Sequence, residues 1–162
     1  MATPRVGILM GSRSDMPVME KASALLTDLG IDHEVRVMSA HRTPSLVADY
    51  ATDAAERGLQ VIVAAAGGAA HLAGVVAAHT LLPVVGVPIA TQVAGGLDSL
   101  LSTVQMPRGV PVATVSVGGA ENAALLAAEI LALSDDVVRA RLVAFRERQA
   151  RAILDDETNR GG

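Results

Sequence analysis

Four short, mostly apolar segments constrain the fold of this chain more than any other feature of its sequence. They cover residues 6–10, 61–66, 84–87 and 112–117. Short apolar segments of this length are typical of strands buried on both faces, as in a parallel sheet. Residues 34–38 alternate in polarity instead, which predicts a strand nearer the edge of the same sheet.

The segments between these strands carry the start and stop signals of helices. Pro17 fits the first turn of a helix that ends at Gly30, and Pro44 begins a second helix that ends at Gly58. Strands therefore alternate with helices along the chain. This alternation predicts an α/β fold, in which a doubly wound parallel sheet carries helices on both faces.

Two further helices are predicted towards the carboxyl terminus. Residues 123–133 are apolar nearly all round except at Glu129, so we expect this helix to be buried on more than one side. Residues 135–155 form a last helix with one apolar stripe, made of Val138, Leu142, Phe145 and Ala152. Because the sheet is complete before this helix begins, the stripe packs either on the chain's own sheet or on a neighbouring subunit. The sequence leaves both alternatives open.

The composition limits the classes of function. At 162 residues, of which 51% are apolar, the chain is long enough for one domain, residues 1–162, with a hydrophobic core. A net charge of −4, with one tyrosine and one phenylalanine, argues against a nucleic-acid surface or an aromatic flavin site. There is no cysteine, and the single lysine, Lys21, lies in a predicted helix, so thiolate and Schiff-base chemistry are not expected. Neither a signal peptide nor a membrane-spanning segment is recognised, which predicts a cytoplasmic location.

Three polar, glycine-containing segments follow the first three predicted strands. They are residues 11–15, 39–44 and 67–74. The strand-to-helix loops of a parallel sheet emerge at its carboxyl edge, where ligands bind. With a strand order of 2-1-3-4-5, strands 2, 1 and 3 are neighbours and the three loops meet in one cleft. We therefore expect the functional site in this cleft.

Residues 11–15 suit a phosphorylated ligand. Gly11 lets the backbone approach closely, Ser12 and Ser14 offer hydroxyls, and the following helix directs N–H groups and its positive dipole end into the cleft. Asp15 would repel a phosphate and is expected to accept hydrogen bonds from sugar hydroxyls. The alternative is that Ser14 or Asp15 only caps the helix, and for Asp15 alone both interpretations stay open. The segment is neither a Walker motif nor a dinucleotide fingerprint.

Residues 39–44 contain the chemically most active side chains. Arg42 offers a planar, permanently charged fork that matches a phosphate. His41 beside it is a candidate general acid and base, because imidazole is the side chain that titrates nearest neutral pH. Its position between a strand end and a helix start, next to an arginine, favours catalysis over a structural role.

Residues 67–74 are rich in glycine and alanine. Backbone N–H groups of this loop can close on a carboxylate or a flat base without obstruction by side chains. The alternative is tight helix–sheet packing, which small residues also permit. His71 is a weaker candidate than His41, and His33 and His79 are expected to have no role. No cluster of histidines and carboxylates has metal-ligand spacing, so no metal is expected.

Taken together, these segments resemble the 5-(carboxyamino)imidazole ribonucleotide mutase family, the PurE-type (class I) enzymes of purine synthesis. The resemblance covers nearly the whole chain. It is carried by Gly11-Ser12 with Ser14-Asp15 and by residues 39–44, 67–72, 86–88, 97–102 and 104–109.

The resemblance implies a flavodoxin-like three-layer αβα sandwich, a homo-octamer whose last helix reaches a neighbouring subunit, and a rearrangement without cofactors. His41 is implied to move the proton while a carboxyl group migrates from the exocyclic nitrogen to C4 of the imidazole. Ser12, Asp15 and Arg42 are implied to bind the ribonucleotide. The remaining implied substrate contacts are Gly11, Ser14, Ser39, Gly68, Ala69, Ala70, His71 and Leu72.

Two departures from the family and two alternative functions stay open. Ala73 stands where the family commonly has proline, and residues 118–122 form a shorter loop than in familiar bacterial members. One alternative is a carboxylase that adds free carbon dioxide to aminoimidazole ribonucleotide, although Arg42 favours the mutase. The other is a non-enzymatic flavin or nucleotide carrier on the same fold, against which the scarcity of aromatic residues argues.

Overall fold

The computed structural model describes residues 3–159, which form five strands, six α-helices and two short 3-10 turns. The 3-10 turns are Arg13–Asp15 and Glu157–Asn159. In chain order the other elements are β1 (Val6–Met10), α1 (Met16–Asp28), β2 (His33–Val37), α2 (Pro44–Asp53), β3 (Val61–Gly67), α3 (Leu72–His79), β4 (Val84–Ile89), α4 (Leu97–Val104), β5 (Ala113–Thr114), α5 (Ala120–Ala132) and α6 (Asp136–Leu154). No helix among the described residues is long and apolar enough to cross a bilayer.

The five strands form one sheet in the order β2-β1-β3-β4-β5, and every neighbouring pair is parallel. Val6 of β1 stands opposite His33 of β2 on one side and Val61 of β3 on the other, so the carboxyl ends of these strands lie at one edge. The predicted doubly wound α/β fold and its strand order are confirmed.

Two hydrophobic cores lie on the two faces of the sheet. Because side chains alternate along a strand, Ile8 points to the face that α1, α5 and α6 cover, whereas Leu9 points to the face with α2 and α3. All five residues of β1 are buried, as its apolar pattern predicts. The edge strand β2 is partly exposed, as its polar alternation predicts.

Two elements are shorter than predicted. Strand β5 contains only Ala113 and Thr114, not residues 112–117, because its neighbour β4 contains Pro88, which has no N–H to donate to the ladder. Beyond Thr114 the chain makes only isolated bonds to β4, such as that from Val115 N to Gly86 O. Helix α2 ends at Asp53 instead of continuing to residue 58, since residues 54–58 form a run of turns.

The last two helices cover one face of the sheet. Helix α5 lies between α1, α6 and the sheet, so it is buried on more than one side, as predicted. Helix α6 packs on α5 of its own chain through Val138, Leu142 and Phe145. At the carboxyl end of α6 the apolar side chains are not covered: Ile153 and Leu154 are 67% and 71% exposed. Of the two open alternatives, packing on the same chain therefore accounts for the first half of α6.

Candidate functional site

A cleft of about 640 Å³ lies at the carboxyl edge of the sheet. Its walls come from the loops after β1, β2 and β3, as the strand order predicts, and also from the end of β4. The predicted residues that line it are Gly11, Ser12, Ser14, Asp15, Ser39, His41, Arg42, Ala69 and Leu72. Gly68, Ala70 and His71 do not line it, although all three belong to the β3–α3 loop.

The loop after β1 presents two linked serine hydroxyls. The backbone N–H of Gly11 donates to Ala65 O at 3.0 Å, so the loop starts from a position that the sheet determines. Ser12 Oγ accepts hydrogen bonds from the amide of Ser14 at 3.3 Å and from its hydroxyl at 2.9 Å. Ser12 therefore caps the 3-10 turn Arg13–Asp15, while its hydroxyl hydrogen remains available to a ligand.

Asp15 lies at the N-cap position of α1, but its side chain makes no capping hydrogen bond. Asp15 is 8% exposed, and its carboxylate accepts a long hydrogen bond from Ser14 Oγ at 3.4 Å and a backbone hydrogen bond from Ser12. Burial raises the pKa of Asp15, and hydrogen bonds from Ser12 and Ser14 partly oppose this. Because the helix does not use this carboxylate, the capping interpretation is wrong for Asp15.

The loop after β2 is held by its own polar side chains. Ser39 Oγ accepts from the backbone N–H of His41 at 3.3 Å and of Arg42 at 3.2 Å. The hydroxyl of Thr43 accepts from Ser39 N at 2.9 Å and donates to Ser39 O at 3.0 Å. These bonds place the side chains of His41 and Arg42 at the cleft, so Ser39 organises the loop whether or not it also touches a ligand.

Arg42 connects the second loop to the first. One Nη group of its guanidinium donates to Gly11 O at 2.8 Å. A guanidinium has five N–H donors, so most of this fork stays available to an anion in the cleft. The positive charge thus lines the same cleft as the two serine hydroxyls, as the prediction of a phosphate subsite requires.

His41 and His71 form a direct pair. His41 Nε2 lies 2.8 Å from His71 Nδ1, and the two rings are nearly perpendicular, with centroids 4.9 Å apart. One nitrogen of this bond carries the hydrogen and the other accepts it, so the tautomers of the two rings are linked. Sequence analysis made His71 a weaker candidate for a functional role than His41, and it did not predict this contact.

The loop after β3 is shorter than predicted, because α3 begins at Leu72 and not after residue 74. Its amides are also less available than expected. The N–H groups of Gly68, Ala70 and His71 donate to Ser99 Oγ, Gly68 O and Ala69 O, at 2.8, 2.9 and 2.9 Å. Among the described residues, the N–H of Ala69 is the one in this loop that has no hydrogen-bond partner.

With this geometry in hand, similarity to known proteins identifies the family. The family model described as "AIR carboxylase" matches residues 5–152. This chain belongs to the AIR carboxylase family. A relative from Mycobacterium tuberculosis, named N5-carboxyaminoimidazole ribonucleotide mutase, is 62% identical over 91% of this chain and 84% of its own length. Relatives with the same name from Vibrio cholerae and Thermotoga maritima are 54% and 53% identical, over 93% and 94% of this chain and 95% and 89% of their own.

Solved structures agree with this assignment. The crystal structure of Treponema denticola PurE superposes with a TM-score of 0.88 at 32% identity, over 98% of this chain and 99% of that one. A structure of PurE2 from the same organism superposes with a TM-score of 0.89 at 30% identity and covers 99% of this chain and all of the other. The flavodoxin-like expectation for the fold is therefore confirmed.

Sequence reasoning missed the contribution of β4 to the cleft of this family member. Ile89, Ala90 and Thr91 line its far wall. Thr91 Oγ1 donates to Asp98 Oδ1 at 2.6 Å, and this bond lowers the pKa of Asp98. The available signal was the strand order itself, because β4 lies next to β3 and its carboxyl end faces the same edge. No group of three or more potential metal-ligating side chains lies together within residues 3–159.

Proposed function

We propose that this chain is an isomerase of purine biosynthesis that converts N5-carboxyaminoimidazole ribonucleotide into its C4-carboxylated isomer, with His41 as the proton shuttle. Membership of the AIR carboxylase family and the mutase relatives support the reaction. The observation that supports the site is the meeting of His41, Arg42, the two serines and the glycine-rich loop in one cleft. A cytoplasmic location is part of the proposal, because the substrate is a charged phosphate ester.

The ribonucleotide binds with its phosphate towards Arg42 and the hydroxyls of Ser12 and Ser14. The guanidinium supplies a planar pair of donors and a permanent charge. Asp15 accepts hydrogen bonds from the ribose hydroxyls, which explains why its carboxylate is left unused by α1. This orientation directs the imidazole ring towards His41 and the β3–α3 loop.

The reaction breaks one bond to carbon and forms another. Protonated His41 gives a proton to the exocyclic nitrogen as the N–C bond breaks, which releases carbon dioxide and leaves an amino group. C4 of the aminoimidazole then attacks the carbon dioxide, and His41 removes the C4 proton to restore the aromatic ring. The proton lost from His41 in the first step returns in the last, so the overall change is an isomerisation without any co-reactant.

Two physical effects are sufficient for this chemistry. Carbon dioxide is small and uncharged, so the cleft must keep it beside the ring; such proximity contributes roughly 7–11 kcal/mol. Proton transfer by a positioned imidazole adds about a hundred- to ten-thousand-fold. His71 holds the His41 ring in one orientation, and the small residues of the β3–α3 loop leave room for the migrating carboxyl group. The N–H of Ala69 is its hydrogen-bond donor there.

The test is His41→Asn, which keeps a polar side chain but removes the acid and base. We expect isomerisation to fall by a hundredfold or more, roughly the contribution of a general acid and base, while the ribonucleotide still binds. His79→Asn, an exposed histidine at the end of α3, is the matched control and should keep wild-type turnover. Isomerisation that survives in His41→Asn would refute the assignment.

The carboxylase alternative is tested with the wild-type protein. One assay supplies N5-carboxyaminoimidazole ribonucleotide, and the other supplies aminoimidazole ribonucleotide with carbon dioxide. Faster conversion of the carboxylated substrate is expected. Product formed only from aminoimidazole ribonucleotide and carbon dioxide would identify a carboxylase instead.

We also propose that the chain acts as a homo-oligomer, with the octamer implied by the family resemblance. Helix α4 exposes an apolar stripe of Leu97, Leu101 and Val104, each more than two-fifths exposed. The end of α6 exposes Ile153 and Leu154. Apolar side chains repeated on one helix face favour burial against another copy. Sedimentation of the purified protein should give the mass of eight chains, and a monomer would contradict the proposal.

A further inference from the structure

The β3–α3 loop, residues 68–71, is held in place by polar side chains of α4. Ser99 Oγ accepts the N–H of Gly68 at 2.8 Å, and Ser102 Oγ lies 3.2 Å from Gly68 O. Thr103 Oγ1 makes a third, longer contact with Ala70 O at 3.4 Å. One turn of α4 therefore binds both polar backbone groups of Gly68.

Ser99 differs from its neighbours on α4 in how it uses its hydroxyl. Ser102 and Thr103 donate back to the carbonyls of their own helix, at 2.7 and 2.8 Å, as such residues commonly do in mid-helix. The hydroxyl of Ser99 instead accepts from another loop. Ser99 is completely buried, and a buried hydroxyl needs a hydrogen-bond partner, which the N–H of the partly buried Gly68 supplies.

The position of Gly68 determines the position of His71. Gly68 has a φ of +69°, which side-chain-bearing residues rarely adopt. Two tight turns follow, from Ala70 N to Gly68 O and from His71 N to Ala69 O, both at 2.9 Å. A rotation of the Gly68 peptide is thus transmitted over three residues to His71. Its bond to His41 is 2.8 Å long and would be lost with a displacement of about 1 Å.

We propose that Ser99 is a positioning residue for the reaction: through the Gly68 amide it sets His71 against His41. This proposal rests on the function proposed above. It assigns no contact with substrate to Ser99, which does not line the cleft. Its effect reaches the reacting atoms only through the histidine pair.

The test is a double-mutant cycle of Ser99→Ala and His71→Asn. Ser99→Ala alone should lower kcat about ten- to a hundredfold, the cost of a misplacement of about 1 Å, with little change in KM. In the His71→Asn background, Ser99→Ala should cost nothing further, because the side chain that it positions is already gone. Ser23→Ala, which removes a partly buried hydroxyl bonded to His33 away from the cleft, is the matched control and should keep wild-type kcat.

Two results would overturn the proposal: an unchanged kcat in Ser99→Ala, or an equal loss of kcat with and without His71. If Ser99→Ala does not fold, Ser99→Cys replaces it in the same cycle, because a thiol fills similar space but is a weak acceptor for the Gly68 N–H. The same non-additivity is then expected, and additivity refutes the proposal.

A measurement that needs no turnover separates this proposal from the proposed function. Nitrogen-15 spectra of the histidine rings report whether His71 Nδ1 is hydrogen-bonded to His41. The signal should change in Ser99→Ala, or in Ser99→Cys where that variant replaces it, and stay unchanged in Ser23→Ala. If the wild-type protein fails to isomerise its substrate while this signal responds as stated, the proposed function fails and the positioning role stands. An unchanged signal in the chosen α4 variant refutes the positioning role.

Discussion

Replacing Arg42 by alanine tests the phosphate subsite most directly. The guanidinium lies at the cleft with one Nη group on Gly11 O at 2.8 Å, and its remaining N–H groups are available to the ligand. In the proposed complex it is the only permanent positive charge that lines the cleft among residues 3–159. The variant removes this charge but leaves the backbone amide of residue 42, which Ser39 Oγ binds, in place.

The expected loss follows from the kind of bond removed. A hydrogen bond to a charged group contributes about 1.5–3 kcal/mol. Since about 1.4 kcal/mol corresponds to a tenfold change in a binding constant, Arg42→Ala should weaken ribonucleotide binding roughly ten- to 150-fold. The carbonyl of Gly11 lies at the cleft, where water can replace the lost donor, so the folded state should lose little stability.

Titration calorimetry with aminoimidazole ribonucleotide measures the binding constant, and initial rates give kcat and KM. Most of the loss should appear in binding and KM, because the phosphate contact is the same in the ground state and the transition state. Arg42→Lys should recover part of the affinity, since an ammonium keeps the charge but not the fork. Arg148→Ala on α6 is the control. Unchanged binding in Arg42→Ala, or a loss confined to kcat, would refute the phosphate subsite.

Two further predictions concern titratable side chains. Burial raises the pKa of Asp15, so its ionised form destabilises the folded state. Asp15→Asn should therefore raise the melting temperature at pH 7 while it weakens substrate binding. This gain in stability should disappear as the pH falls towards 3.8, the ordinary pKa of an aspartate, because the wild-type carboxyl is then protonated. Tyr50→Phe removes the bond to Glu34 at 2.7 Å and should cost about 1–3 kcal/mol of unfolding free energy without loss of turnover. Burial raises the pKa of Glu34, but the hydrogen bonds from Tyr50 and Arg57 lower it more, so the pKa lies below its ordinary value. Denaturant titrations should therefore show the Tyr50→Phe cost present above pH 4.5 and shrinking as pH falls through the pKa of folded Glu34.

The strands with the clearest patterns were the most predictable parts of the fold. A segment such as residues 6–10, without a polar residue, can be accommodated only where both faces are covered, so a central strand was the one consistent interpretation. The cleft followed from topology, because parallel strands place their following loops at the same edge. The position of His41 and Arg42 at this cleft was predictable because both lie in the loop that follows β2.

Contacts between distant segments were not predictable in the same way. Pro88 shortens β5 only because β4 and β5 are neighbours in the sheet, and this pairing is part of the tertiary structure. The bond between His41 and His71 depends on how α4 shapes the intervening loop, and neither local pattern contains it. Thr91 carried no signal of its own either, because one threonine after a strand is common. Such residues become visible once the strand order is combined with the loop after every strand.

Charged and uncharged residues lie on different sides of the cleft, and this distribution suggests a role for the pair of His41 and His71. The loops after β1 and β2 supply Arg42, Asp15 and hydroxyls, so this side suits the phosphate and the ribose. The wall from β3 and β4 consists of glycine, alanine, leucine, isoleucine and one threonine, whose hydroxyl is donated to Asp98. In the proposed complex, a ribonucleotide anchored at the charged side places its heterocycle against the uncharged wall. His41 comes from the loop after β2 and His71 from the loop after β3, so in the proposed complex their hydrogen bond joins the side that holds the phosphate to the side that holds the heterocycle.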